Sequence, residues 1–152
     1  MRRLSITQLD PGRATTLVEL LQANAAAFGE KPAFSFVRGD GEDEASISFC
    51  ALNERAKAIG AELQTLMSPG QCALLLFPPG LDFISSFFGC LYAGVLAVPA
   101  ALPARNRATS AVGAIVQASN PALILSNADH CSRAKQLYAN LPALLDRPWL
   151  AT

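Results

Sequence analysis

Residues 73–98 read ALLLFPPGLDFISSFFGCLYAGVLAV, and this stretch decides the fold. The run 73–77 is continuously apolar, which is typical of a strand covered on both faces. A Pro-Pro-Gly turn follows, and bulky residues then recur at helical spacing over residues 81–93. Residues 95–98 form a second short apolar run. The stretch therefore predicts two parallel strands joined by a crossover helix.

The helix within this unit has two kinds of side chain at helical spacing. Its bulky face comprises Ile84, Phe87, Phe88 and Leu91. Small residues form a second stripe, made of Ser85, Gly89 and Ala93. Because small side chains let two backbones approach closely, this stripe predicts that another element packs against the helix there.

The pattern continues downstream of residue 98. A helix is predicted near residues 109–119, with an apolar face of Val112, Ile115 and Val116. Asn120-Pro121 ends it, and residues 122–125 form a third apolar strand. Asn127 can cap a last helix that carries Leu137 and Leu141.

Upstream, Thr16 and Glu19 have the spacing of a capping box at a helix start. This helix carries Leu17, Leu20, Leu21 and Phe28, and Gly29 and Pro32 end it. Residues 33–37 and 45–49 predict a β-hairpin, with Phe34 and Phe36 on one face and Ile47 and Phe49 turned inward. We expect a turn at 39–41 and a solvated tip made of the acidic residues Glu42, Asp43 and Glu44, with a cation site as the alternative for these three. A long helix follows, ended by Ser68-Pro69-Gly70, with the face Leu52, Ala56, Ile59, Leu63 and Leu66.

The predicted fold class is α/β: a mostly parallel sheet with crossover helices plus an N-terminal β-hairpin. We expect residues 1–152 to form one unit, the N-terminal part of a larger domain, with residues 1–14 as a flexible tail. The chain has 12 basic and 12 acidic residues, and this neutral balance excludes a dedicated nucleic-acid binder. Charged residues make up only 16%, against about 25% in ordinary domains. The low charge indicates that part of the apolar surface is covered by something else.

Residues with the chemistry of a reaction centre are scattered. Cys50, Cys72, Cys90 and Cys131 lie far apart without a CxxC pair, which excludes a zinc site and favours buried reduced thiols in a cytoplasmic protein. His130 is the only histidine, and although Asp129 and Cys131 flank it, neighbours in sequence rarely converge in a catalytic site. We expect His130 to be a surface residue near a helix start.

The turn after the strand 73–77 does not suit a phosphate. Pro78 and Pro79 remove two backbone N–H donors, and Asp82 adds negative charge to the first turn of the helix. No GxGxxG or GxxxxGK[ST] motif occurs in the sequence. Arg105-Asn106-Arg107 has two interpretations, an anion or carrier-protein contact and a solvated helix start with a salt bridge. The residues therefore assign no catalytic, cofactor-binding or metal-binding position.

Membrane association has one candidate segment. Residues 81–98 have Asp82 as their only charge and approach the length of a spanning helix. Gly94 and the change from helical to strand-like spacing favour a buried helix followed by a buried strand. We therefore predict no membrane span.

The stretch 77–107 closely resembles the fatty-acyl-AMP ligases, which belong to the adenylate-forming superfamily of acyl-CoA synthetases, luciferases and peptide-synthetase adenylation domains. Residues 77–84, 87–99 and the Arg-Asn-Arg at 105–107 carry the resemblance. Residues 91–99 resemble the second core motif of the superfamily, and residues 47–52 resemble the first. The chain departs from the family pattern at Phe77, where Tyr is usual, at Ala51, where an acidic residue is common, and at Ala101-Leu102, where Tyr-Pro is frequent.

The resemblance implies a function for a longer protein. Family members activate a fatty acid with ATP and Mg²⁺ to an acyl-adenylate, and pass the acyl group to an acyl carrier protein, in lipid biosynthesis and in polyketide or lipopeptide loading. Their phosphate loop and catalytic Lys would follow Thr152, so no family catalytic residue maps onto this chain. The resemblance implies an incomplete N-terminal subdomain of an adenylate-forming enzyme, inactive alone, whose partner is the rest of the adenylation domain.

Two other hypotheses remain open from the sequence. The chain could be a free-standing partner module that pairs with a separate chain supplying the nucleotide site, or a small membrane-associated protein. As an isolated fragment we expect it to be marginally stable, because any cover for the sheet from beyond Thr152 is absent.

Overall fold

The computed structural model describes residues 11–37, 44–102 and 109–152 of the chain. Two small sheets and six helices are formed within these ranges. After a 3-10 helix at Pro11–Arg13, the elements in chain order are α1 Leu17–Phe28, β1 Pro32–Val37, β2 Glu44–Ser48, α2 Phe49–Leu66, β3 Cys72–Leu75, α3 Leu81–Ala93, β4 Leu96–Pro99, α4 Thr109–Ser119, β5 Leu123–Ser126, α5 Ala128–Leu137, α6 Pro142–Leu145 and β6 Trp149–Ala151.

The larger sheet is parallel and has the strand order β4-β3-β5-β6. Leu74 of β3 lies between Val98 of β4 and Ile124 of β5, and Leu125 pairs with Leu150 of β6. Strands β1 and β2 form a separate antiparallel pair. The predicted fold class is therefore confirmed, with β6 as an additional strand and α6 as an additional helix that the sequence did not indicate.

Alternate residues of β3 face opposite layers of helices, as the period of a strand requires. Ala73 and Leu75 join the core formed with α2 and α3. Leu74 and Leu76 join the core formed with α4, α5 and α6. All four side chains are 0% exposed. The chain's own helices thus cover both faces of this strand, as its continuous apolar run predicts.

Helices α2 and α3 approach closely at two glycines, which confirms the prediction from the small-residue stripe. A Cβ built on Gly89 would lie 2.5 Å from Cγ2 of Ile59, and one on Gly60 would lie 2.7 Å from Cβ of Tyr92. Ser85 and Ala93 are buried on either side of Gly89. The bulky residues of α3 are half-buried and divide between two cores: Phe83 and Phe87 pack beside the sheet, and Leu81, Ile84, Phe88 and Tyr92 pack beside the hairpin and α1.

The predicted helix caps are confirmed. The Thr16 hydroxyl accepts from the N–H of Glu19 at 3.1 Å, and Glu19 accepts in return from the N–H of Thr16 at 3.3 Å. Hydrogen bonds from Thr15, and secondarily from Thr16, to the Glu19 carboxylate lower the pKa of that group. Asn127 caps α5 by accepting from the N–H of His130 at 2.9 Å. Gly94 ends α3 in the left-handed region at φ 70°.

Several predicted core positions were wrong by one residue. Leu66 is 57% exposed, and Met67, which follows the helix, is buried in its place. Leu137 is 43% exposed, whereas Tyr138 is 2% exposed. Phe49 begins α2 instead of ending β2, because the Ser48 hydroxyl accepts from the N–H of Ala51 and caps the helix.

Helix α1 buries less of its apolar face than its spacing predicts. Leu21 and Ala23 are buried, whereas Leu17, Leu20 and Phe28 are exposed. Within the described ranges, no helix combines the length and the apolar character that crossing a bilayer requires.

Candidate functional site

The carboxyl edge of the parallel sheet is the place to look for a site. In such sheets, ligands bind beyond the strand ends where the direction of chain progression reverses. The chain passes from β3 to β4 on one side, and then crosses back over β3 to reach β5. The reversal therefore lies between β3 and β5, where the segment after Leu75 meets Ser126 and Asn127.

Polar groups at this edge bind to each other. Ser126 is fully buried, and its hydroxyl donates to the carbonyl of Leu76 at 2.5 Å. The N–H of Leu76 donates to the carbonyl of Leu125 at 3.0 Å. Ser86, also fully buried, shares a 2.8 Å hydrogen bond with the hydroxyl of Thr152. The Ser126 bond extends the link between β3 and β5 past the end of the ladder, and the Ser86 bond joins α3 to the residue after β6. Among the described residues, neither hydroxyl is paired with a general base.

The turn after β3 forms one wall of an apolar cleft of about 390 Å³. The Phe77 and Phe83 rings meet edge to face, with centroids 6.4 Å apart. The remaining lining residues are Pro78, Pro79, Gly80, Ala101 and Leu102. None of these described side chains is charged, so this part of the lining can take up an apolar group and offers no cation to a phosphate.

Asp82 does not face this cleft as a ligand group. Its carboxylate accepts from Nη2 of Arg55 at 2.7 Å and so ties the first turn of α3 to α2. The expectation that this turn starts a helix instead of holding an anion agrees with α3 beginning at Leu81. The pairing itself was missed, because the two residues are 27 positions apart in the sequence.

A second polar link between these helices was also missed. The Tyr92 hydroxyl donates to Oδ1 of Asn53 at 2.5 Å. Asn53 is only 6% exposed, so this bond satisfies an amide that would otherwise be costly to bury. Both polar links hold α2 against α3, and neither takes part in a reactive arrangement.

His130 lies near a helix start, as predicted, and it is partly and not fully exposed at the surface. It is half-buried, and its Nε2 lies 2.7 Å from the hydroxyl of Tyr138. Its ring centroid is 5.7 Å from that of Tyr138 and 6.2 Å from that of Trp149. Burial, and secondarily the charge of Arg133, lowers the pKa of His130. Burial also raises the pKa of Tyr138 to about 12.

The four cysteines are free and dispersed. Cys90 is buried, and burial raises the pKa of its thiol to about 12, whereas Cys50 is exposed, contrary to the prediction of buried thiols. Burial also raises the pKa of Cys131. Among the described residues, no three His, Cys, Asp or Glu side chains are grouped so that they could hold a metal ion.

Two further recesses lie away from the sheet edge. One recess of about 510 Å³ lies between α1 and α3 and is lined by Thr16, Leu17, Val18, Gln22, Leu91 and Tyr92. One of about 290 Å³ lies between α1 and α2. The first is larger than the cleft at the strand ends, but its described lining residues lie away from the strand reversal, so the carboxyl edge remains the candidate.

Some predicted features lie outside the described residues. They are the Arg105-Asn106-Arg107 segment, the turn at 39–41, Glu42 and Asp43 of the hairpin tip, and residues 1–10 of the predicted tail. The interpretations given for them remain predictions.

Comparisons with known proteins place this geometry in context. The profile of the family described as "AMP-binding enzyme" matches residues 21–148. A medium-chain-fatty-acid–[acyl-carrier-protein] ligase, JamA of Moorena producens, is 34% identical over 142 residues, which are 91% of this chain and 24% of that protein.

Two solved structures are similar to the chain over 91% of its length. The crystal structure of the fatty acid AMP ligase from Legionella pneumophila has a TM-score of 0.80 and 36% identity. A fatty acyl-adenylate ligase from L. pneumophila, in complex with acyl adenylate and pyrophosphate, has a TM-score of 0.79 and 35% identity. This chain covers 23% of each, so it spans about a quarter of the length of these relatives.

Proposed function

The chain belongs to the AMP-binding enzyme family, and from that premise we propose that it is the N-terminal scaffold of a ligase that activates fatty acids as acyl-adenylates. One observation carries the proposal. The fold matches the N-terminal part of the Legionella pneumophila fatty acid AMP ligase over 91% of this chain, at 36% identity. Agreement in both fold and sequence supports the acyl-adenylate branch within the family.

The proposed reaction of the whole protein joins a fatty acid to ATP, giving acyl-adenylate and pyrophosphate, and then transfers the acyl group to an acyl carrier protein. The ligands in the L. pneumophila complex support the first half, and the name of JamA supports the second. A role in lipid biosynthesis or in loading polyketide or lipopeptide assembly lines follows from the same proposal.

In this proposal, the residues of this chain support the fold of the enzyme and take no part in the reaction. The turn after β3 has two prolines in place of phosphate-binding N–H groups, and the cleft beside it is apolar. The described residues include no cluster suited to Mg²⁺. ATP and Mg²⁺ therefore do not fit the residues described, and we derive no step through them.

We propose that the chain alone is inactive, and ATP–pyrophosphate exchange tests this. The 152-residue chain should give no exchange with medium- or long-chain fatty acids, and a chain extended by the remaining three quarters of a relative's length should give exchange. The matched control is the extended protein with the apolar cleft unchanged and its phosphate loop deleted. Turnover by the 152-residue chain would contradict the proposal.

A second candidate function is a partner module that pairs with a separate chain supplying the nucleotide site. Leu96, at the start of the edge strand β4, is 55% exposed, and this apolar edge favours pairing with another polypeptide. Co-expression with the remainder of the ligase as a separate chain distinguishes the two. Recovery of a stoichiometric, active complex supports the partner module, and recovery of the 152-residue chain alone supports the simple fragment.

A cytoplasmic location is part of the same proposal. Its support is that Cys50, Cys72, Cys90 and Cys131 are all free. Fractionation of cells that express the tagged chain tests it, and recovery from the membrane or secreted fraction would contradict it.

A further inference from the structure

The half-buried cluster of His130, Tyr138 and Trp149 has no role in the function proposed above. Three aromatic rings from two elements meet there: His130 from the first turn of α5, Tyr138 from just beyond its end, and Trp149 from β6. The Tyr138 and Trp149 rings stack with centroids 5.7 Å apart at 27°. Trp149 also donates from Nε1 to the carbonyl of Leu144 at 3.1 Å.

This cluster is one of the side-chain attachments of β6, beside Leu150, which packs against the core of α2 and α3, and Thr152, which bonds Ser86. Strand β6 has three residues, and within the described ranges its ladder partner is β5. Its flanks add two backbone bonds, from Ile124 to Pro148 at 2.9 Å and from Thr152 to Ser126 at 3.0 Å. Trp149 is the largest side chain that β6 places against the buried core.

We propose that His130, Tyr138 and Trp149 form an acid-sensitive latch that holds β6 on the sheet and releases it when the imidazole becomes protonated. Neutral His130 fits this site because its ring contacts both the Tyr138 and the Trp149 rings, and its Nε2 shares a hydrogen bond with the Tyr138 hydroxyl. Protonation places a charge in a half-buried position near the cation of Arg133, which is unfavourable. Opening of β6 returns the ring to water.

The charges around His130 also oppose its protonation. Arg133, one turn along α5, carries a positive charge that opposes protonation. The other ionisable residues of α5 are Asp129, Cys131 and Lys135, and the link to β6 contains Asp146 and Arg147. Arg147 is turned to Asn120, to which it donates at 2.7 Å. Elements α4, α6, β5 and β6 have no ionisable side chain.

The pH window follows from the direction of the shift. The folded-state pKa of His130 lies below its ordinary value of 6.5. The stabilisation of the closed latch is therefore complete above pH 6.5, and declines as the pH falls from there towards the folded-state pKa. Because one proton is involved, the equilibrium constant for opening of β6 can increase by at most about tenfold at one pH unit below the pKa that His130 has in the open state.

The sequence provides a direct probe, because the chain has one histidine and one tryptophan. Emission from Trp149 in the 152-residue chain should change in a single one-proton step as the pH is lowered from about 8 to about 5, with a midpoint below the ordinary histidine value. The protection of the Ile124 amide against hydrogen exchange should fall over the same range. The Leu76 amide, bonded to Leu125 between β3 and β5, is the internal control and should keep its protection.

Two variants decide the origin of any change. In His130→Gln the pH step in emission and in Ile124 protection should disappear. In Arg133→Gln, where the exposed cation is lost, the midpoint should rise. A flat wild-type emission, a step that persists in His130→Gln, or equal loss of protection at Leu76 would each overturn the latch. If His130→Gln does not fold, an unchanged midpoint in Arg133→Gln would overturn it.

Discussion

Two regions of the molecule have similar apolar patterns but bury their side chains to different extents. One is the parallel sheet with its two helical layers, and the other is the N-terminal region formed by α1 and the hairpin. In β3 and β5, Leu74, Leu75, Ile124 and Leu125 are all 0% exposed. In α1 and β1, residues of the same kind remain in water, with Leu17 at 50% and Val37 at 58% exposure. Periodicity therefore indicates which element forms, whereas burial depends on whether a second layer lies opposite it.

The strongest way to test this comparison is to remove one buried side chain from the sheet. Leu75→Ala should lower the free energy of unfolding by about 2–5 kcal/mol, because it leaves a cavity in the core between β3, α2 and α3. The matched control is Leu17→Ala in α1, which should change stability by less than about 0.5 kcal/mol. Urea denaturation followed by circular dichroism measures both, and equal effects would mean that the two regions do not differ as described.

Overpacking the contact between α2 and α3 should have the next largest effect. In Gly89→Ala the added methyl would overlap Ile59, and we expect a loss of about 1–3 kcal/mol. Gly113→Ala in α4 is the control, since its methyl would meet only the end of the Leu141 side chain at 3.3 Å. The control should gain up to about 1 kcal/mol from helix propensity. Thermal unfolding compares them, and a stabilised Gly89→Ala would show that Ile59 does not pack closely against Gly89.

A smaller effect is expected at the ion pair that joins the same helices. Arg55 and Asp82 are 40% and 36% exposed, so solvent screens their attraction. Asp82→Asn should cost about 0.2–1 kcal/mol, and the difference from the wild type should shrink in high salt. The pair Lys57 and Glu54 on the surface of α2 is the control, and Glu54→Gln should cost less. A salt-independent loss for Asp82→Asn would point to a packing role in place of a charge interaction.

The smallest effect on stability, with a distinct effect on association, is expected on the outer face of α1. Leu17→Gln together with Leu20→Gln should leave the unfolding free energy nearly unchanged, because both side chains are already exposed. The same change should reduce the binding of a hydrophobic dye and any self-association, measured by fluorescence and sedimentation. Undiminished dye binding would place the accessible apolar surface elsewhere.

Local signals explain how much of the fold the sequence predicts. The strands and helices of residues 73–98, and the caps at Thr16 and Asn127, depend on neighbours within a few positions, and the structure confirms them. Strand β6 has only three residues and follows a proline. It is a strand because β5 offers it a partner, and that information lies about 25 residues away.

The candidate site was predictable only in its negative features. The sequence has prolines at 78 and 79 and no phosphate-binding motif, and both features are compatible with the uncharged lining described for the cleft. The partners of Asp82, Ser126 and His130 depend on which elements the fold brings together. No local pattern in the sequence encodes those distances, so the burial of His130 could not be predicted.

The close approach at Gly60 and Gly89 has a mechanical consequence. Ile59 and Tyr92 lie directly against the two glycines, where no room remains for a Cβ, so α2 and α3 resist sliding past one another. The Pro78-Pro79-Gly80 turn leads into the first turn of α3, which Asp82 ties to Arg55 of α2. A displacement of this turn is therefore resisted by both helices and not by α3 alone.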